Sequence, residues 1–140
     1  MAAEDNKAAL RRFYEEVLNG NDLGAVDQLL ATDAVDHTLG SRGLEAYKQF
    51  FRTVHQAFPD MHVEVHDMIA AEDLVAARVT YSGTHDGEFV GVPATGRRVE
   101  VSGVDFLRMR DGKQVEHWGG VDMLGLLQQL GVMPGSGAPA

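Results

Sequence analysis

Apolar residues recur with a helical period over the first sixty positions and with a period of two after Asp60. Leu10, Phe13, Tyr14, Val17 and Leu18 fall at i, i+3, i+4, i+7 and i+8, one stripe of an amphipathic helix that Asn19-Gly20 should end. Asp22 stands where it can cap a short second helix carrying Leu23, Val26, Leu29 and Leu30. Residues 31–41, ATDAVDHTLGS, read as a connection containing Asp36 and His37. Leu44, Tyr47, Phe50, Phe51, Val54 and Phe58 define a third helix, stopped by Pro59. Met61, Val63 and Val65 then alternate with His62, Glu64 and His66 in a half-buried strand. Ala71-Glu72-Asp73 turns the chain into a second strand with Val75, Ala77, Val79 and Tyr81 on one face. A glycine-rich crossover, SGTHDGEFVGVPATGR, spans residues 82–97. Asp122 caps a last short helix, Met123 to Leu130, closed by Gly131, and residues 132–140 are expected to be a flexible tail.

Helices first and antiparallel strands afterwards indicate an α+β domain over residues 1–131, with a curved sheet packed on one face by the helices. A strongly bent sheet of this kind makes a cone whose open end is a natural small-molecule pocket.

Between the crossover and the last helix lies VEVSGVDFLRMRDGKQVEHWGGV, two strand segments joined at Asp111-Gly112. A two-residue loop would pair Arg110 with Lys113 and set apolar side chains against polar ones. A three-residue loop would instead face Leu107 with Val115, Asp105 with His117 and Gly103 with Gly119. Since a one-residue slip reverses every side chain, apolar matching favours the three-residue loop. Asp105 and His117 would then be cross-strand neighbours, roughly 4.5–5.5 Å apart at Cβ, on an otherwise apolar face. Each helps explain the burial of the other. The two glycines would leave a hollow beside the pair, so the expectation is an acid–base pair at a cavity; a structural ion pair at a sheet bend is the plainer alternative.

Charge narrows the partners. A net charge of −9 over 140 residues, with no basic run, argues against nucleic acid and anionic membrane surfaces. The absence of cysteine excludes disulfides and thiolate chemistry. No apolar run reaches membrane-spanning length and the first residues lack a signal-peptide core, so a cytoplasmic protein is expected. His62 and His66, four residues apart on a strand, stand roughly 13 Å from each other and cannot share a metal ion.

The segments GEFVGVPATGRRVEV and GKQVEHWGGVDMLGLLQQLG resemble the SnoaL-like polyketide cyclases of the nuclear transport factor 2-like superfamily, which also holds ketosteroid isomerase and limonene epoxide hydrolase. The similarity runs from the first helix to Gly131. It implies an α+β cone, commonly a homodimer, with a deep apolar pocket for a hydrophobic small molecule and no metal or organic cofactor. Family enzymes close a ring by intramolecular aldol condensation, using an acid–base aspartate two residues after the histidine of the last strand. Here that histidine is His117, and the aspartate's position is Gly119. A family histidine in the preceding strand corresponds to Asp105, a pocket asparagine to Asp36 or His37, and the crossover histidine to His85.

Asp105 and His117 are therefore the expected catalytic residues. His117 would take a proton α to a carbonyl or activate a water while Asp105 orients it, or a desolvated Asp105 would itself be the base, as the aspartate of ketosteroid isomerase is. Asp36, His37, His85, Tyr14 and Gly119 are the expected substrate-binding residues. For Asp36 and His37 the alternative is a solvated Asx turn, and for Tyr14 it is core packing. Trp118 alternates to the opposite face and suits sheet packing or a dimer contact. The expected function is cofactor-independent cyclisation, isomerisation or hydration of a carbonyl compound such as a polyketide. A domain that binds such a compound without transforming it is the alternative, motivated by Gly119. Epoxide hydration ranks last, because Arg108 lies three residues from Asp105 and on the other face.

Overall fold

The computed structural model describes residues 2–133. The expected tail therefore falls mostly outside the described residues; Val132 and Met133, at its start, are exposed. Among the described residues no helix is long and apolar enough to cross a membrane.

The first helical stripe forms α1 (Ala2–Arg12) and continues as a π-helical segment, Phe13–Asn19. Phe13, Tyr14, Val17 and Leu18 all lie on its buried side, and π-helical turns often occur at functional sites. Gly20 does not end the helix in the left-handed conformation; its φ is −90°, and Asn21 takes the positive φ of 52° instead. Nor does the Asp22 side chain cap the next element, a 3-10 turn (Leu23–Ala25) running into α2 (Val26–Leu29).

Residues 31–41 are not a loop. Leu30–Asp36 forms β1 and Ser41–Arg42 forms β2. Helix α3 (Leu44–Ala57) comes next, and its C-cap Phe58 immediately precedes Pro59. The long strands are β3 (His62–Ala71), β4 (Leu74–Thr84), β5 (Arg98–Arg110) and β6 (Lys113–Val121). Helix α4 (Met123–Leu130) closes the described fold, with Asp122 accepting from the Gly125 N–H at 2.9 Å and Gly131 left-handed at φ 83°. The sheet order is β2-β1-β6-β5-β4-β3, antiparallel throughout except for the parallel β1–β6 pair. The fold is the expected α+β arrangement, with the N-terminal helices packed on one sheet face over Leu10, Val17, Val26, Leu30, Val75 and Leu107.

The β5–β6 hairpin has neither of the two expected registers. Asp111 and Gly112 both have positive φ, 54° and 76°, and make a two-residue turn that pairs Arg110 with Lys113. The like charges splay apart, Arg110 toward Asp33 at 3.6 Å and Lys113 toward the Asp27 carbonyl at 3.5 Å. Val115 then bulges out of the ladder, and Arg108 pairs with Glu116, Leu107 with His117 and Asp105 with Gly119. The bulge moves the register by two residues relative to the three-residue loop. An even shift preserves the faces, so Asp105 and His117 still share one, as diagonal neighbours.

Candidate active site

Three neighbouring strands each contribute one ionisable residue to the concave face. Asp36 ends β1 directly opposite His117 of β6, and Asp105 of β5 lies diagonal to it. His117 Nε2–H donates to Asp105 Oδ1 at 2.8 Å, and Nδ1–H donates to Asp36 Oδ2 at 3.1 Å. All three side chains are largely buried, with exposures of 17% for His117, 8% for Asp105 and 6% for Asp36. The remaining Asp105 oxygen, Oδ2, accepts from the Tyr14 hydroxyl at 2.6 Å and from the Tyr81 hydroxyl at 3.1 Å. Asp36 Oδ1 accepts from the backbone N–H groups of Thr38 and Leu39, both at 2.9 Å, which is an Asx turn serving the site rather than solvent.

The electrostatics follow from this bonding. Burial pulls the His117 ring down, but hydrogen bonds to Asp105 and Asp36 and the charge of each outweigh it and lift the ring to about 9. His117 is thus an imidazolium at neutral pH, since a ring between two carboxylates needs both N–H groups. Burial raises Asp36, but its bonds from His117 and from the Leu39 and Thr38 amides hold it below the ordinary carboxylate range. Burial, aided by the Asp105 charge, pushes the Tyr14 and Tyr81 phenols far up, so both remain donors. The two carboxylates bind opposite edges of one ring instead of converging on a point, so the cluster does not form a cation site.

This network faces a cavity of about 750 Å³ between the helices and the sheet. Its wall is mainly apolar, with Leu10, Phe13, Phe51, Phe58, Val101 and Leu126 among the lining residues. Tyr14, Asp36, Asp105, His117 and Gly119, all expected from the sequence, lie on that wall.

His37 and His85 do not. His37 points to the outer face, where it meets Glu116 at 2.8 Å and stacks on Trp118 with ring centroids 4.8 Å apart. As the next residue after Asp36 along an extended strand, it takes the opposite side. His85 is fully buried, bonded through Nδ1 to Thr95 and packed on Phe58 at 5.4 Å, where it fastens the crossover to the body of the protein. Gly103 and Gly119 are not opposed, and of the two only Gly119 lines the cavity beside the pair. Gly103 faces Val121, and the space above it holds the Tyr81 ring, whose Cε2 would lie 2.8 Å from an added Cβ. That missing side chain is what lets Tyr81 reach Asp105. Tyr81 falls on the strand face that the alternation predicts, but sequence reasoning missed it as a site residue; the available signal is an aromatic with a polar tip on an otherwise aliphatic face. Gly119 has φ 100°, and a Cβ there would stand 2.2 Å from the Val104 carbonyl oxygen.

The family model of the SnoaL-like polyketide cyclases matches residues 8–130. Aklanonic acid methyl ester cyclase DnrD of Streptomyces peucetius is 33% identical over 105 residues, which cover 74% of this chain and 72% of that protein. Among solved structures, AclR of Streptomyces galilaeus, a candidate hydroxylase, aligns with a TM-score of 0.85 at 35% identity, over 96% of this chain and 85% of that one. IdmH of Streptomyces antibioticus, a candidate polyketide cyclase, aligns with a TM-score of 0.79 at 37% identity, over 91% of this chain and 99% of that one.

Proposed function

The chain belongs to the SnoaL-like polyketide cyclase family, and from that premise we propose that it is a cofactor-independent enzyme closing a ring in a hydrophobic polyketide by general acid–base catalysis. The observation that carries this is the chain of hydrogen bonds Asp36–His117–Asp105, ending on an apolar cavity with two tyrosine hydroxyls.

The roles follow from which atoms are free. His117 has both nitrogens committed and already carries its proton, which favours Asp105 over His117 as the base. Asp105 Oδ1 retains one unused lone pair, and it takes the proton from a carbon α to a substrate carbonyl. The carboxylate is thereby neutralised, and the Tyr14 and Tyr81 hydroxyls are released to donate to the enolate oxygen. The enolate carbon attacks a second carbonyl of the same molecule, forming the C–C bond. The resulting alkoxide takes back the proton from Asp105. His117 and Asp36 are positioning residues in this scheme: the imidazolium orients Asp105, and Asp36 fixes the ring.

Aklanonic acid methyl ester, the compound in the name of the relative DnrD, is the first substrate to test. The expected outcome is a cyclised product, with Asp105→Asn lowering kcat by roughly 10²–10⁴-fold. If Asp105→Asn and His117→Ala both turn over an identified substrate at the wild-type rate, the assignment is wrong. A second reading, binding without transformation, is favoured by Gly119, which has no side chain where the family carries its acid–base aspartate. Recovery of a tightly bound polyketide unchanged would select it. The outer sheet face, with exposed Val104 and Phe106 near Trp118, suits self-association into a homodimer.

A further inference from the structure

Gln114 is the buried polar residue on the cavity wall that the acid–base network does not use. It sits on β6 opposite Met109 and beside Leu30 of β1. The bulge at Val115 turns Gln114 and Val115 inward together. Gln114 is 3% exposed and lines the cavity, and its Nε2 has no hydrogen-bond partner among the described residues. The other such atom, His85 Nε2, lies off the cavity. A buried amide without a partner keeps its full desolvation penalty, and native folds retain few. On a wall that includes Leu10 and Leu107, a leucine would avoid that penalty.

The geometry points to a ligand contact: Nε2 has almost no accessible surface as placed, and a half-turn of the amide, which leaves its shape unchanged, lets it donate to a carbonyl oxygen at the end of the substrate remote from Asp105. Gln114 and His117 pair with Met109 and Leu107, two residues apart on β5, so the bulge leaves them roughly 7 Å apart along the sheet. The favoured ligand is therefore a rigid fused-ring compound with two oxygen functions about that far apart, one at the acid–base cluster and one at Gln114. This requires that the cavity take a ligand, as the proposed function does, but not that Asp105 act as a base.

The test uses 6-acetyl-2-naphthol and its near-isostere 6-isopropenyl-2-naphthol, in which C=CH2 replaces C=O, titrated against wild type, Gln114→Leu and Asp105→Asn. Wild type should bind the ketone at least tenfold more tightly. Gln114→Leu should bind the two within twofold and lose no thermal stability, because it removes an unpaired donor; Gln114→Met serves if the leucine branch does not pack. Asp105→Asn should keep the preference for the ketone, which separates this contact from the acid–base chemistry. The proposal is overturned if wild type does not distinguish the two compounds or does not bind the ketone. It is also overturned if the leucine and methionine variants keep the preference, or if both are clearly destabilised, the sign of an amide satisfied within the fold.

Discussion

Replacing His117 with Asn should change how stability depends on pH, with a sign and window set by the site. The ring is lifted from its ordinary 6.5 to about 9 because two carboxylates hold it. A group whose folded value is raised adds stability that is complete below the unfolded value and lost as pH climbs through the folded one. In wild type that contribution is complete below pH 6.5, falls between 6.5 and 9, and is gone above 9. The gap corresponds to about 3 kcal/mol, and the ring is sufficiently buried that solvent screening removes little of it. His117→Asn has no titrating group there and should be nearly level across this window. Urea unfolding at intervals from pH 6 to 10 should show the advantage of wild type over the variant shrinking by about 3 kcal/mol, or roughly 10 °C in Tm. Nitrogen NMR at neutral pH should show protons on both ring nitrogens of wild type. Parallel stability curves, or a ring with one bare nitrogen at pH 7.5, would refute the doubly held imidazolium and with it the assignment of Asp105 as base.

Restoring the family aspartate should not restore the family mechanism. Gly119→Asp places a Cβ against the Val104 carbonyl at a φ of 100°, so denaturant unfolding should show a loss of about 2 kcal/mol or more. Unchanged stability would mean that the end of β6 relaxes easily. His37→Ala removes only an exposed pair and a stack on the outer face; stability should fall by about 1 kcal/mol or less, with turnover unchanged within twofold. A tenfold drop in kcat/KM would place His37 in the site after all.

The parts of the fold that are legible in the sequence are those fixed by contiguous residues. Helix α3 declares itself in six apolar positions and a following proline, and α4 in an aspartate before it and a glycine after it. Strands β4 and β5 alternate cleanly, with every odd position of β5 from Val99 to Met109 buried, and β3 alternates up to a bulge at His66 that changes its phase. Strand β1 is not legible, because LATDAVD has no such alternation. Its extended form is imposed by pairing with β6, about 80 residues further along, and with β2. The hairpin register differs from expectation because the ladder is not regular: a bulge at Val115 reconciles the Asp-Gly turn with apolar matching.

The site divides along the same line. Asp105 and His117 can be paired from the sequence because one short hairpin carries both and the parity of the strands keeps them on one face. The sequence by itself thus determined the α+β class, the amphipathic faces and the location of the ionisable pair, since these depend on local periodicity and on turn chemistry. Only tertiary structure decided that Asp36 takes the second edge of the imidazole across 81 residues of chain. It also decided that Gly103 makes room for Tyr81 and that Gly119 adopts a backbone closed to any side chain. Those outcomes are set by distances between elements remote in sequence. The same distances make His117 a fixed cation, and so leave Asp105 as the group with a lone pair to offer.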